Sequence, residues 1–281
     1  MAISFGPGGN SESFGKRKFP EGLPEYLKEL GLNGYEIECG RGVRIAQKTY
    51  DLLPAIAEEN GIALTLHTPY FISLSSEKEE TRLGSLKYIE ESAEAAHRLG
   101  AKKIVIHSGS CAKMTREQAL ELARDTLKRA QEMLDEKGLS DIIICPETMG
   151  KINQLGTLTE VVELCKVDER FLPCVDFGHL NARTLGGIKT KEDYAAILDE
   201  IENELGYERL KNFHVHFSRI MYTAGGEKAH LTFEDKEYGP EYEPLMELFY
   251  ERGLEPTVIC ESAGTQAEDA AQMKKYYESL K

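Results

Sequence analysis

Seven histidines occur in the chain, and six of them, His67, His107, His179, His214, His216 and His230, stand at or just after short apolar runs that read as β-strands. The seventh, His97, lies inside a helical stretch. Three carboxylates close other such runs: Glu147 ends IIICPE, Asp176 ends LPCVD and Glu261 ends TVICE. Taken singly, each has a structural explanation, as a satisfied core imidazole or a carboxylate capping a helix. Taken together they do not, because carboxylates and imidazoles crowded at one place repel like charges and shift one another's pKa values unless cations lie between them. Divalent metal resolves that conflict. Mixed imidazole and carboxylate donors suit zinc, with manganese or iron also acceptable, whereas magnesium prefers oxygen alone.

Residues so far apart in sequence converge only if the fold brings strand ends together. Apolar segments recur at Ile3–Phe5, Tyr35–Ile37, Ala63–Leu66, Ile104–Ile106, Ile142–Cys145, Leu172–Val175, Phe213–Phe217 and Val258–Cys260. They are separated by about one βα unit each, with helical patterning between them, which predicts a parallel sheet. Eight such units close into a (β/α)8 TIM barrel whose C-terminal strand ends share one mouth. The expected fold is therefore α/β, one barrel domain over residues 1–281. Capping boxes are expected at Ser76 with Glu79, Thr115 with Gln118 and Thr157 with Glu160, each pairing a hydroxyl with a Glu or Gln three residues on. Gly100, Gly138, Gly206 and Gly253 stand where helices should end. Ile220 to Gly239 is the one long connection, and long βα loops on this fold belong to active sites. Strand parity puts His214, His216 and Ser218 on one face, so both histidines point to the barrel axis if either does. Cys145 shares parity with Glu147, and Cys174 with Asp176, which makes these thiols small core residues beneath the ligands.

Composition narrows the function. A hydrophobic content of 41% supplies a real core. The apolar runs fall far short of the ~20 residues that span a bilayer, and the N-terminus lacks the apolar run of a signal peptide. No membrane association and a cytoplasmic location are expected. Six cysteines with no CxxC spacing exclude a zinc ribbon or redox motif. The net charge of -14 opposes nucleic acid at long range.

The ordered motifs HTPYFISLSS, VIHSGS, CPETMGK, CVDFGHLNA, the FHVHFS segment and CES, between about Ala63 and Glu261, resemble the endonuclease IV family of apurinic/apyrimidinic endonucleases, within the xylose-isomerase-like barrels. The resemblance implies two or three zinc ions: the first on His67, His107 and Glu147, the second on Glu147, Asp176, Glu261 and a histidine of FHVHFS. His214 keeps the family's distance from the preceding Leu-Lys pair and is favoured, with His216 as the alternative. The third ion would take His179 with Glu227 and His230, standing for the family's Asp-x-His at altered spacing. Glu147, Asp176 and Glu261 would be the catalytic carboxylates. Tyr70 matches a DNA-contacting tyrosine, while FGPGGNSES and CGRGVRI depart from the family's N-terminal loops. Three divalent ions against four carboxylates leave the mouth locally positive. Arg41 and Arg219 are expected to contact DNA, with Arg44, Lys113, Lys151 and Arg183 nearby. The implied reaction is hydrolysis 5′ to an abasic site, with no protein partner. The rival is a sugar isomerase or epimerase using one metal on Glu147, Asp176, His214 (or His216) and Glu261. A third reading is a non-catalytic, ligand-sensing barrel.

Overall fold

The computed structural model of the protein describes residues 3–281. Its strands are β1 (Ser4–Pro7), β2 (Gly34–Glu38), β3 (Ala63–His67), β4 (Lys103–Ile106), β5 (Ile143–Pro146), β6 (Cys174–Asp176), β7 (His214–Phe217), β8 (Arg219–Thr223), β9 (Gly226–Leu231) and β10 (Thr257–Cys260). Each of the eight segments expected from sequence overlaps a barrel strand, with ends shifted by at most two residues. They pair in parallel as β1-β10-β7-β6 and β2-β3-β4-β5. Parallel bridges at Gly8–Glu36 and Glu147–Cys174 join the two halves into a closed TIM barrel. At the first seam the backbones approach so closely that a Cβ on Gly6 would lie 1.9 Å from the Gly34 carbonyl oxygen, so only glycine fits. The one pair not expected is the antiparallel hairpin β8–β9, which occupies the long connection after β7.

The helices are α1 (Leu23–Glu29), α2 (Gln47–Asn60), α3 (Glu79–Leu99), α4 (Arg116–Glu136), α5 (Leu158–Cys165), α6 (Phe177–Arg183), α7 (Lys191–Leu205), α8 (Tyr207–Lys211), α9 (Glu243–Arg252) and α10 (Gln266–Ser279). Thr115 and Thr157 form the expected capping boxes on α4 and α5. Ser76 does not: α3 begins at Glu79 itself, so Glu79 stands in the first helical position instead of the third, and the Ser76 hydroxyl accepts from the Lys78 amide. Gly100 and Gly253 end α3 and α9 in the left-handed conformation.

The barrel interior is largely apolar at its base and polar above. Val105, Cys145, Leu172 and Cys174 form a small apolar cluster inside the strands, apart from the larger core between strands and helices. Lys103 closes the floor, its ammonium donating to the Asn212 carbonyl at 2.8 Å and to Thr257 Oγ1 at 3.2 Å. With so few apolar side chains filling the axis, the upper half is left to charged groups, which must satisfy one another or hold cations.

Candidate metal centre

The ladder register sorts the interior side chains into layers. On β7, His216 lies opposite Asp176 and Ile259, whereas His214 lies opposite Cys174 and Thr257. Two residues of strand rise about 6.7 Å, so the two histidines share a face but not a level. His216 Nδ1 reaches Glu147 Oε1 at 3.1 Å and Glu261 Oε2 at 3.5 Å. His214 stays below, with Nε2 at 3.0 Å from Glu36 Oε2. The preference for His214 from its spacing along the chain is thus corrected: the histidine brought to the acidic group is His216.

Donor atoms converge within 4.8 Å in several overlapping groups, among them His67 with His107 and Glu147; Glu147 with Asp176, His216 and Glu261; and His179 with Glu227 and His230. Glu147 belongs to the first two and borders the third. Its Oε2 lies 3.0 Å from His107 Nε2 and 3.4 Å from His67 Nε2, and its Oε1 lies 3.4 Å from His179 Nδ1. The Thr68 carbonyl, 2.9 Å from His67 Nδ1, takes the proton there and leaves Nε2 facing the group. The Thr148 carbonyl does the same for His179 Nδ1 at 2.9 Å, with Nε2 turned to Glu227 at 3.4 Å. Asp176 serves two roles: Oδ1 caps α6 by accepting from the His179 amide at 2.7 Å, while buried Oδ2 has no hydrogen bond. Glu147 Oε2 is likewise buried without one. Buried carboxylate oxygens without a hydrogen bond, gathered among imidazole nitrogens, fit divalent cations.

The protonation pattern of the metal-free protein points the same way. Burial pushes Glu261 up to about 8, with Glu147 and Asp176 adding to it against His216. Burial would raise Glu147 too, but His216 and His107 hold it well below the ordinary range. His67 and His179 rise to about 10, the nearby carboxylates outweighing burial. Protons stand in where cations are wanted. Cys174 lies within reach of His214 and His216, and in the metal-free protein burial pushes its thiol well above its ordinary value.

The mouth opens into a cavity of about 380 Å³ lined by His67, Tyr70, His107, Glu227 and Glu261 among others. Tyr70 is 60% exposed and stacks on His107, with ring centroids 5.5 Å apart. Gly40 makes room for it, since a Cβ there would fall 2.5 Å from the Tyr70 ring. The hairpin β8–β9 is docked on the loop after β5 by Ile152 N–H to Gly225 O at 3.1 Å and Glu227 N–H to Gly150 O at 3.1 Å. That docking carries Glu227 and His230 to His179. Arg41 and Arg44 are exposed. Arg219 is not available to DNA, a second correction: it is 4% exposed, donates to the Tyr238 carbonyl at 3.2 Å and pairs with Glu241, holding the loop after β9. Arg183 likewise donates to the carbonyls of Met149 and Ile152. Sequence reasoning missed Glu36 and Glu38, which project from β2 beneath and beside the histidines. Glu36 and Glu38 add two carboxylates to Glu147, Asp176, Glu227 and Glu261, and six carboxylates would cancel the local excess of positive charge expected from three divalent ions.

Residues 24–281 match the family described as the xylose isomerase-like TIM barrel. The chain belongs to that family. Among its relatives, an uncharacterised protein of Methanocaldococcus jannaschii is 31% identical over 254 residues, 90% of each chain. A probable endonuclease 4 of Staphylococcus carnosus is 26% identical over 204 residues, 70% of this chain and 62% of that protein. Two solved structures share the fold: a D-tagatose 3-epimerase-like protein (TM-score 0.70, 20% identity, 91% and 92% of the two chains) and endonuclease IV from Thermus thermophilus (TM-score 0.64, 19% identity, 92% and 94%). In a xylose isomerase-like barrel the chemistry lies at the C-terminal mouth, which is where the donor groups converge. Membership alone leaves nuclease and epimerase chemistry both open. No helix among the described residues is long and apolar enough to cross a membrane.

Proposed function

We propose that this chain is a metal-dependent phosphodiesterase, resembling endonuclease IV, that hydrolyses DNA 5′ to an abasic site and leaves a 3′-hydroxyl. Residues 1–281 act as one catalytic unit in the cytoplasm. The observation that carries this reading is the presence of three donor groups, two of them sharing Glu147, with more ligands than one ion can use. His67, His107 and Glu147 would hold the first ion, Glu147, Asp176, His216 and Glu261 the second, and His179, Glu227 and His230 the third, with zinc favoured and manganese or iron acceptable. Ions held there would supply Lewis-acid charge to a phosphodiester and to the attacking and leaving oxygens of an in-line displacement. Glu147 keeps the first two ligand sets in register. Tyr70 offers an exposed ring at the rim for a base or deoxyribose, and Arg41 a cation for a phosphate.

One observation favours a second reading. Glu147, Asp176, His216 and Glu261 make a four-donor group on their own, sufficient for a single-metal sugar epimerase or isomerase. That reading leaves His67, His107, His179 and His230 without a task. A defined abasic duplex incubated at low salt with zinc-replete protein, beside a panel of ketoses and aldoses, separates the two. Incision with a 3′-hydroxyl supports the nuclease; sugar conversion without incision replaces it with the epimerase.

A further inference from the structure

Glu36 is fully buried and lies beneath the donor groups. Its Oε2 accepts from Thr65 Oγ1 at 2.7 Å and lies 3.0 Å from His214 Nε2, while its Oε1 lies 2.8 Å from His216 Nε2. The two Nε2 atoms are 3.2 Å apart. Both Nε2 atoms thus stand within 3.0 Å of the carboxylate, and they are the groups that could serve Oε1, which has no hydrogen bond of its own. A carboxylate removed from water is tolerated only where its lone pairs are met. Protons on both Nε2 atoms meet them; a hydrogen bond between the two rings instead would take a donor away from Glu36. With its proton on Nε2, His216 has its lone pair on Nδ1, the atom that faces Glu147 at 3.1 Å and Glu261 at 3.5 Å.

We propose that Glu36 is a positioning residue that keeps the proton on His216 Nε2 and so presents His216 Nδ1 to a divalent ion in the group of Glu147, Asp176, His216 and Glu261. His214 is the brace, not a ligand: its N–H fixes the second oxygen of Glu36, and Thr65 adds a third donor. Carboxylates behind metal-bound imidazoles orient the ring and raise its basicity, and losing one costs about 10- to 100-fold in metal affinity. The inference rests on the metal-site part of the proposed function and not on the substrate.

Metal binding, rather than incision, is therefore the readout. Cobalt(II) serves as the probe, titrated against a chromophoric chelator into wild type, Glu36→Gln and Glu36→Asp. Glutamine keeps the size of the side chain but loses the charge and turns an NH2 toward an N–H. In Glu36→Gln one cobalt site should weaken by about 10- to 100-fold with a changed visible spectrum, the others keeping their affinities, and Glu36→Asp should recover part of the loss. Nitrogen NMR of the His216 imidazole in the zinc-loaded wild-type protein should show the proton on Nε2, a readout that needs no variant if Glu36→Gln fails to fold. Wild-type affinities and spectrum in Glu36→Gln, or a His216 proton on Nδ1, would overturn the proposal. A wild type that binds no cobalt overturns the metal site itself, whereas a failure to cut abasic DNA leaves this inference standing.

Discussion

Replacing Glu261 by glutamine separates what the site costs the fold from what it does for function. In the metal-free protein, burial and the charges of Glu147 and Asp176, opposed by His216, move Glu261 from 4.5 to about 8. Its side chain is only 17% exposed, so solvent screens little of this. Across that interval the folded chain keeps a proton the unfolded chain has released, so stability falls as pH rises. The favourable contribution of the protonated acid is complete below about pH 4.5 and is gone once the pH passes about 8. At about 1.4 kcal/mol per tenfold change in proton affinity, the whole effect is roughly 5 kcal/mol. Glutamine mimics the protonated acid and has no proton to lose. Metal-free Glu261→Gln should match metal-free wild type near about pH 4.5 and exceed it by up to about 5 kcal/mol above about pH 8, or on the order of 10 °C in Tm for a chain of this size. Thermal unfolding in chelator across that range measures the difference. With zinc present the order should reverse, since the wild type gains more binding free energy. A Tm difference that stays constant with pH, or a metal-free wild type that is the more stable at high pH, would refute the reasoning.

Elemental analysis of protein purified without chelator should find two or three transition-metal ions per chain, mostly zinc; one ion at full occupancy would remove the cluster. Glu147→Gln should cost more activity than Glu227→Gln at matched metal content, because Glu147 lies 3.0 to 3.4 Å from four histidines, and its loss should exceed the ~100-fold typical of a supporting residue. Equal rates would show that Glu147 is not the bridge. Arg41→Ala should lower the salt slope of DNA binding by about 1, while Arg219→Ala should lower Tm and leave that slope unchanged; the opposite pattern would restore Arg219 to the DNA surface. Thr157→Ala should cost about 1 kcal/mol by removing the cap of α5, read as a shifted denaturation midpoint without loss of metal.

The barrel itself was legible because strands buried on both faces read as short continuous apolar runs, and IIICPE, LPCVD and TVICE end in the carboxylates that mark the mouth. What escaped did so for definite reasons. Glu36 and Glu38 alternate with Tyr35, Ile37 and Cys39, a pattern that suggests a strand with one face in water. A closed parallel barrel has no such face, so charges at alternate positions can only point to the axis or the mouth. The hairpin β8–β9 announces itself by Gly225–Gly226 between two β-prone stretches, a signal lost when the whole connection is taken as loop. The choice between His214 and His216 was beyond any spacing argument, because height along the barrel axis is set by pairing with β6 and β10, and only the register puts His216 level with Asp176.

The two carboxylates of β2 change how a polyanion can be held. With three divalent ions present, the mouth carries as much negative charge as positive, so attraction to DNA has to come from the rim. There the cations on offer are Arg41, Arg44, Lys113 and Lys151, all exposed, while Arg183 and Arg219 are spent on backbone carbonyls. Four rim cations on a chain of net charge -14 would give a nucleic acid only weak, steeply salt-dependent association. Glu36 contributes little to that repulsion, because His214, His216 and Thr65 already surround it. Affinity for a nucleic acid would therefore depend on short-range contact at the centre, the phosphodiester on the ions and a base or sugar against Tyr70, more than on long-range steering. A small neutral sugar would feel none of the rim, which is why ionic strength discriminates between the two substrate classes before any product is identified.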